Sequence, residues 1–330
     1  MASYNTSDAM PEQDPGVNDA VNNALLDAIN TIIACLAVLG NSMVISVMLL
    51  RPRVFSSFTN RLLLHQSVID AVAGLLFLLF TVVREFPVVV SREGNEYDQL
   101  VCRVVHSAFL LWSVNVTSTY NLVIISLERF MATCYPVRHR NTWSRAKLKF
   151  ALAASWLIGF LYGSHLLFIF EPRQGECQPV AMGVGLQVLF GAVVVGIEYL
   201  IPMSIMVYTY SRILTSLSMR PGNPVSGQPN SLSRAKRNVL VTVLLAAVMF
   251  AVCWIPSELT YLNAVFFGDT FGEQVYEAST GVLACNMFVN PVIYCFMYER
   301  FRVQLRGLIM RRFRGNRVAN ELSVTLSTEP

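Results

Sequence analysis

The chain has 330 residues, 54% of them hydrophobic and 14% charged, with a formal net charge of +4 and a mean hydropathy of +0.50. Soluble domains carry about 25% charged residues, so this composition excludes an ordinary soluble enzyme or nucleic-acid binder. The apolar residues gather in blocks long enough to cross a hydrocarbon layer of about 30 Å, which takes roughly 20 helical residues.

Taken in chain order, residues 1–22 are polar and include Pro11 and Pro15. They lack the basic start and apolar stretch of a cleaved signal, so they are expected to be an extracellular segment, with Asn5-Thr6-Ser7 as a glycosylation sequon. Seven apolar blocks follow within residues 23–297, near Ala24–Leu50, Arg61–Val83, Val101–Cys134, Phe150–Phe170, Gly183–Leu214, Val239–Phe267 and Val275–Met297. Lipid offers no partner to an open backbone, so each block is expected to be helical. The ten-residue alternation of a membrane barrel is missing. Residues 298–313 set Phe301, Leu305, Leu308 and Ile309 against Arg302, Arg306 and Arg311, the pattern of an amphipathic helix lying on the membrane surface. Residues 314–330 read as a disordered cytosolic tail. The expected fold is an all-α membrane protein, a seven-transmembrane bundle with a short amphipathic eighth helix.

Charge orients the bundle. Of the 25 Lys and Arg residues, only Arg84, Arg92, Arg103 and Arg173 fall on one side. The positive-inside bias puts that side, with the N-terminus, outside the cell. Cys102 and Cys177 are the two of the seven cysteines that map outside, where an oxidising environment favours their pairing.

Ionisable residues inside a span are costly and point to function. Asp70 stands in the second block, with nothing on its own helix to neutralise it. Other marked residues recur span by span: Asn41 after Gly40, Glu128-Arg129-Phe130 at the end of the third, Trp156 in the fourth, Pro202 and Tyr210 in the fifth, Phe250 and Cys253-Trp254-Ile255-Pro256 in the sixth, and Asn290-Pro291-Val292-Ile293-Tyr294 in the seventh. Prolines remove a backbone hydrogen bond and kink helices.

In this order and at these depths, the set closely resembles the signature residues of rhodopsin-like G-protein-coupled receptors, from about Asn23 to Arg314. The resemblance implies a receptor and not an enzyme, in the plasma membrane, activating a heterotrimeric G protein, with arrestin, receptor kinases and membrane lipids as further partners. It implies switch roles for Glu128, Arg129, Tyr210, Phe250, Trp254, Pro256, Asn290, Pro291 and Tyr294. It also implies a sodium ion near Asp70, Ser118, Asn286 and Asn290, and no other cofactor. This sequence departs from the family in five places. The third-span motif reads Glu128-Arg129-Phe130 rather than the commoner Asp-Arg-Tyr, which keeps the charge and loses the phenol. Met287 stands where a small polar residue often follows Asn286, and Gln66 where a leucine usually precedes Asp70. Lys236 stands where some members place a glutamate that pairs with the arginine. Cys102 and Arg129 are two residues further apart than usual, suggesting an extra half turn at the start of the third helix.

The stimulus is partly bounded. Retinal needs a lysine in the seventh span, and the only lysines are Lys147, Lys149 and Lys236. Monoamine receptors place an aspartate where this chain has Leu111, beside Trp112 and Asn115. Glu198, a turn before Pro202, and Glu258, just past Pro256, offer two carboxylates to a ligand amine or guanidinium. Tyr261, Tyr276 and Thr280 complete the expected ligand pocket. An acidic outer surface would steer a cation inward. The strings His65-Gln66-Ser67-Val68-Ile69-Asp70 and Ser118-Thr119-Tyr120-Asn121-Leu122 look like invertebrate orphan receptors of the peptide branch, loosely similar to galanin and allatostatin receptors. The expected ligand is a peptide with cationic character; a small non-peptide or lipid ligand is the alternative. An ion-coupled transporter would show repeated halves with broken helices, which this sequence lacks. The four histidines have no metal-site or nucleophile spacing.

Overall fold

A computed structural model describes residues 15–84, 90–92, 94–142, 144–218, 231–268 and 271–310. The sequon at Asn5 and the tail after residue 310 lie outside the described residues. Among the described residues, seven helices are long and apolar enough to cross a membrane, as the block pattern predicts. We label them α1 (Pro15–Leu50), α2 (Phe58–Arg84), α3 (Phe109–Cys134), α4 (Arg145–Gly163), α5 (Val184–Val195, Gly196–Leu200 and Ile201–Ser218), α6 (Ser231–Phe267) and α7 (Glu273–Ala284 and Asn286–Met297). A further helix, α8, covers 299–310.

Polarity is distributed opposite to that of a soluble fold. Large apolar side chains such as Leu39, Phe150, Leu189 and Phe296 face outward, while Asn41, Gln66, Asp70, Asn121 and Asn290 are buried. Hydrocarbon solvates the first group, and the second finds hydrogen-bond partners only inside the bundle.

Several elements differ from the block pattern for local reasons. α1 begins at Pro15, well before its apolar block. Proline suits a first helical turn, where its missing N–H costs nothing, so polar residues extend this helix past the membrane. The third span does not gain a regular half turn. Its start is a short helix, Glu96–Leu100, capped by a reciprocal Asn95/Asp98 box, then a wide π turn at Val101–His106. Ala108 follows in the left-handed region, with φ 51°. The two extra residues are absorbed there, with Cys102 held against Cys177. Between α4 and α5, β1 (Phe170–Arg173) pairs with β2 (Glu176–Pro179). Their turn, Gln174-Gly175, has positive φ at both residues, matching the twist of a two-residue hairpin. The disulfide ties this hairpin to the start of α3.

Prolines stand in α5, α6 and α7, and in α5 and α7 side chains of neighbouring helices take up the carbonyls they release. Pro291 cannot donate to Met287 O, and Asn41 Nδ2 of α1 donates to that carbonyl at 2.7 Å. Its Gly40 neighbour keeps the approach open, because a Cβ there would lie 3.2 Å from Pro291 Cβ. In α5 the Gly196–Leu200 segment is a π turn in which Ile201 N bonds Gly196 O. The next bond in that register would run from Pro202 to Ile197 O. Proline has no N–H, and Tyr120 Oη of α3 donates to Ile197 O instead, at 2.9 Å.

α3 and α4 meet without space for side chains. A Cβ on Gly159 would collide with Thr117 Oγ1 and the Ser113 carbonyl. At the far end, Tyr298 and Phe301 are buried in the main core cluster, with Leu305 and Leu308 packed on it. Tyr298 Oη donates to Asn60 Oδ1 of α2 at 2.7 Å, and burial pushes its phenol up. The apolar face expected of α8 is thereby partly spent on the bundle, with Ile309 left exposed.

Two stability outcomes follow from these contacts. Gly159→Leu overpacks a backbone contact and is expected to destabilise the protein by at least about 1–3 kcal/mol, read as a lower melting temperature of the purified chain. Asn41→Leu leaves Met287 O buried without a partner, at a cost of about 1–3 kcal/mol; the same measurement on Ser46→Ala, an exposed serine bonded only to its own helix, should show little change.

Candidate functional site

Three polar centres lie along the bundle: a cavity at the disulfide end, a network around Asp70, and an arginine cluster at the opposite end.

The cavity has a volume of about 770 Å³ and is lined by α3, α4, α5, α6, α7 and the hairpin. Leu111, Trp112, Glu198, Glu258, Tyr261, Tyr276 and Thr280 all line it. Asn115, expected beside them, does not. It is buried one helical turn beyond Leu111, below the point where Trp112 packs edge-on against Trp254, with ring centroids 6.4 Å apart. That contact closes the floor. Trp254 in turn rests on Phe250 at 5.3 Å, so the floor is continuous with the core of α6.

Glu198 and Glu258 are both buried. The π turn at Gly196–Leu200 includes Glu198, and such turns re-aim side chains within a helix. Tyr162 Oη of α4 donates to Glu198 Oε2, and Glu258 lies within hydrogen-bonding reach of Glu198. Glu258 Oε2 has no partner among the described residues, nor has the Trp254 indole N–H. Facing carboxylates in a low-dielectric site need a proton or a cation between them. Sequence reasoning missed Tyr162, His165, Phe170 and Glu176, which also line the cavity. Glu176 was traceable through its neighbour Cys177. Tyr162 had no signal beyond being a phenol near one end of an apolar block.

At the middle, Asp70 is 1% exposed. Its Oδ1 accepts from Ser118 Oγ at 2.8 Å and Gln66 Nε2 at 2.9 Å, and its Oδ2 accepts from Asn290 Nδ2 at 2.8 Å. Ser118 and Asn290 are thus brought to Asp70 as expected by position. Asn286 is buried nearby on α7 but is not among the carboxylate's partners.

At the opposite end, Arg129 Nε and Nη2 donate to the two oxygens of Glu128 at 2.6 Å each. Thr59 Oγ1 of α2 accepts from Arg129 and donates to Glu128 Oε2 at 3.0 Å. His139, on the loop helix Pro136–Thr142, meets Glu128 Oε1 at 2.9 Å. Glu128 is fully buried while Arg129 keeps 16% of its side chain exposed, so the pair is anchored on the carboxylate side and open on the cation side. Tyr210 Oη accepts from Ser126 Oγ at 3.3 Å, Tyr294 is buried, and the hydrogen bonds of Arg129 go to Glu128 and Thr59. Neither tyrosine holds the arginine in this arrangement. The side chain of Lys236 lies outside the described residues. Thr59 and His139 were not foreseen, because neither shares a helix with Arg129.

This geometry can be compared with known proteins. The family profile described as 7 transmembrane receptor (rhodopsin family) matches residues 40–294. The chain is 25% identical over 287 residues to galanin receptor 2b of Danio rerio, covering 85% of this chain and 73% of that protein. It is 28% identical over 293 residues to the allatostatin-A receptor of Bombyx mori, covering 84% and 77%. It is 27% identical over 296 residues to the substance-K receptor of Bos taurus, covering 86% and 74%. The chain belongs to the rhodopsin family of seven-transmembrane receptors, and is a multi-pass membrane protein of the G-protein-coupled receptor class.

Proposed function

We propose that this receptor sits in the plasma membrane with its disulfide end outside, binds an extracellular peptide through a cationic group, and activates a heterotrimeric G protein at its opposite end. The observation that carries the ligand class is the pair of buried carboxylates in the cavity, Glu198 and Glu258, with Glu258 Oε2 unpartnered. An ammonium or guanidinium between them gains charge-assisted hydrogen bonds in a site where water is scarce. The cavity is open to a hairpin and loops, which suits a ligand larger than a small amine. The names of the relatives, receptors for galanin, allatostatin-A and substance K, support a peptide. Orientation rests on charge, since the Arg129 end carries most of the Lys and Arg residues.

Activation is read as a shift between two packings. Arg129 is held by Glu128 and Thr59. A ligand pressing on Trp112 pushes Trp254 behind it, α6 bends about Pro256, and the cytosolic half of α6 swings away from α3. Arg129 then turns to the G protein, with Tyr210 and Tyr294 positioned to receive it. Arrestin and receptor kinases are proposed to follow at the same face.

The test is a G-protein activation assay in cells expressing the full chain, screened with basic, neutral and acidic peptides and with lipids. Basic peptides are expected to activate. Response to acidic peptides or lipids alone would overturn the charge argument. With an activating peptide in hand, Glu258→Gln should raise its half-maximal concentration about 10–100-fold, the value of one hydrogen-bonded charge contact of about 1.5–3 kcal/mol. Arg129→Ala should abolish G-protein activation with peptide binding changed only a few-fold; parallel loss of both would assign Arg129 a structural role instead.

A further inference from the structure

The family resemblance implies a sodium ion at Asp70, and the donors found there do not fit one. A hard cation binds through oxygen lone pairs. Here the amide nitrogen of Gln66 donates to both oxygens that would face it, Asp70 Oδ1 at 2.9 Å and Ser118 Oγ at 2.5 Å. Asn290 also presents N–H, to Asp70 Oδ2. Met287, buried on the same helix as Asn290, supplies no side-chain oxygen.

The orientation of the Gln66 amide follows from valence. Trp156 Nε1 is a donor only, and it donates to His65 Nε2 at 2.9 Å. That nitrogen must therefore carry a lone pair, so the ring proton sits on Nδ1 and is donated to Asn121 Oδ1 at 3.0 Å. Asn121 then has its Nδ2 free to donate, and does so to Gln66 Oε1 at 2.7 Å. With its oxygen so occupied, Gln66 can turn only its NH2 group to Asp70. Each tautomer and amide flip is fixed by the one before it, and the chain begins at an indole that cannot reverse.

We propose that Gln66 is a built-in substitute for the cation: the relay Trp156–His65–Asn121–Gln66 aims an amide at Asp70 and makes the receptor insensitive to sodium. One N–H of Gln66 goes to the carboxylate and the other to Ser118 Oγ, which in turn donates to Asp70; the amide so fills the place where family members would use an ion, and the relay also ties α4 to the centre of the bundle through α2 and α3.

The test needs no ligand and is independent of the peptide reading. The full chain, purified in detergent, is melted in sodium chloride and in choline chloride at equal ionic strength. The unaltered protein is expected to melt at the same temperature in both. Gln66→Leu removes the amide and leaves the oxygens of Asp70 and Ser118 open. It should melt lower in choline and recover in a saturable sodium titration, by a shift on the order of a few degrees. Trp156→Phe removes the indole N–H together with the pyrrole ring, freeing the relay to reverse, and should show a smaller sodium-specific recovery that the lost packing alone would not give; it decides the matter if Gln66→Leu does not fold. Saturable stabilisation of the unaltered chain by sodium overturns the proposal. So does a folded Gln66→Leu protein indifferent to sodium, or, where that variant does not fold, an indifferent Trp156→Phe protein.

Discussion

Asp70 is nearly inaccessible to solvent and no cation lies beside it on α2. Taking an ionised group out of water costs far more than any single packing contact returns. The surrounding residues are arranged accordingly. Gln66, Ser118 and Asn290, from α2, α3 and α7, all aim donors at one carboxylate. The register of three helices is thereby set at one depth, and the apolar clusters above and below it inherit that register.

The same requirement, that no buried polar group be left alone, accounts for the irregular backbone. At Pro291 and at Pro202, another helix compensates for the interruption. The carbonyl freed by Pro291 goes to Asn41, and the one freed at Pro202 goes to Tyr120. These bonds cross between helices, so the weak points of α5 and α7 are also points of contact with α3 and α1. A change of curvature in one helix is then felt by its neighbour. This is the physical content of treating the bundle as a switch: the prolines supply the bend, and the side chains that satisfy them supply the coupling.

The two ends differ in what is exposed. At the disulfide end carboxylates are buried around a cavity, with one oxygen of Glu258 unpartnered. At the other end a carboxylate is buried and a guanidinium is partly open. Among the described residues the cavity lining holds no Lys or Arg, while the other end holds a guanidinium in reserve. Between them lie Trp254 and Phe250, packed ring on ring, and then the network at Asp70.

Hydropathy alone determined the seven spans, because a helix that crosses lipid must be predominantly apolar over about 20 residues, whatever it packs against. Motif order was enough to recognise the family, and the location of the two outer cysteines was enough to pair them. Most of the pocket was also legible, since residues a turn from Pro202 and Pro256 share a depth with Leu111 and Trp112. What the sequence could not supply was anything that depends on how one helix faces another. Asn115 has the right spacing for the cavity, but the Trp112–Trp254 contact closes the floor above it. Tyr162, Thr59 and His139 reach their partners only across helix boundaries. Gln66 read as a replaced leucine, and its meaning depends on Asn121, His65 and Trp156, residues on three helices that one-dimensional spacing does not bring together. Span count and family come from local composition and order. The direction of each hydrogen bond at the centre comes from tertiary packing, because a donor is defined only by the acceptor set opposite it.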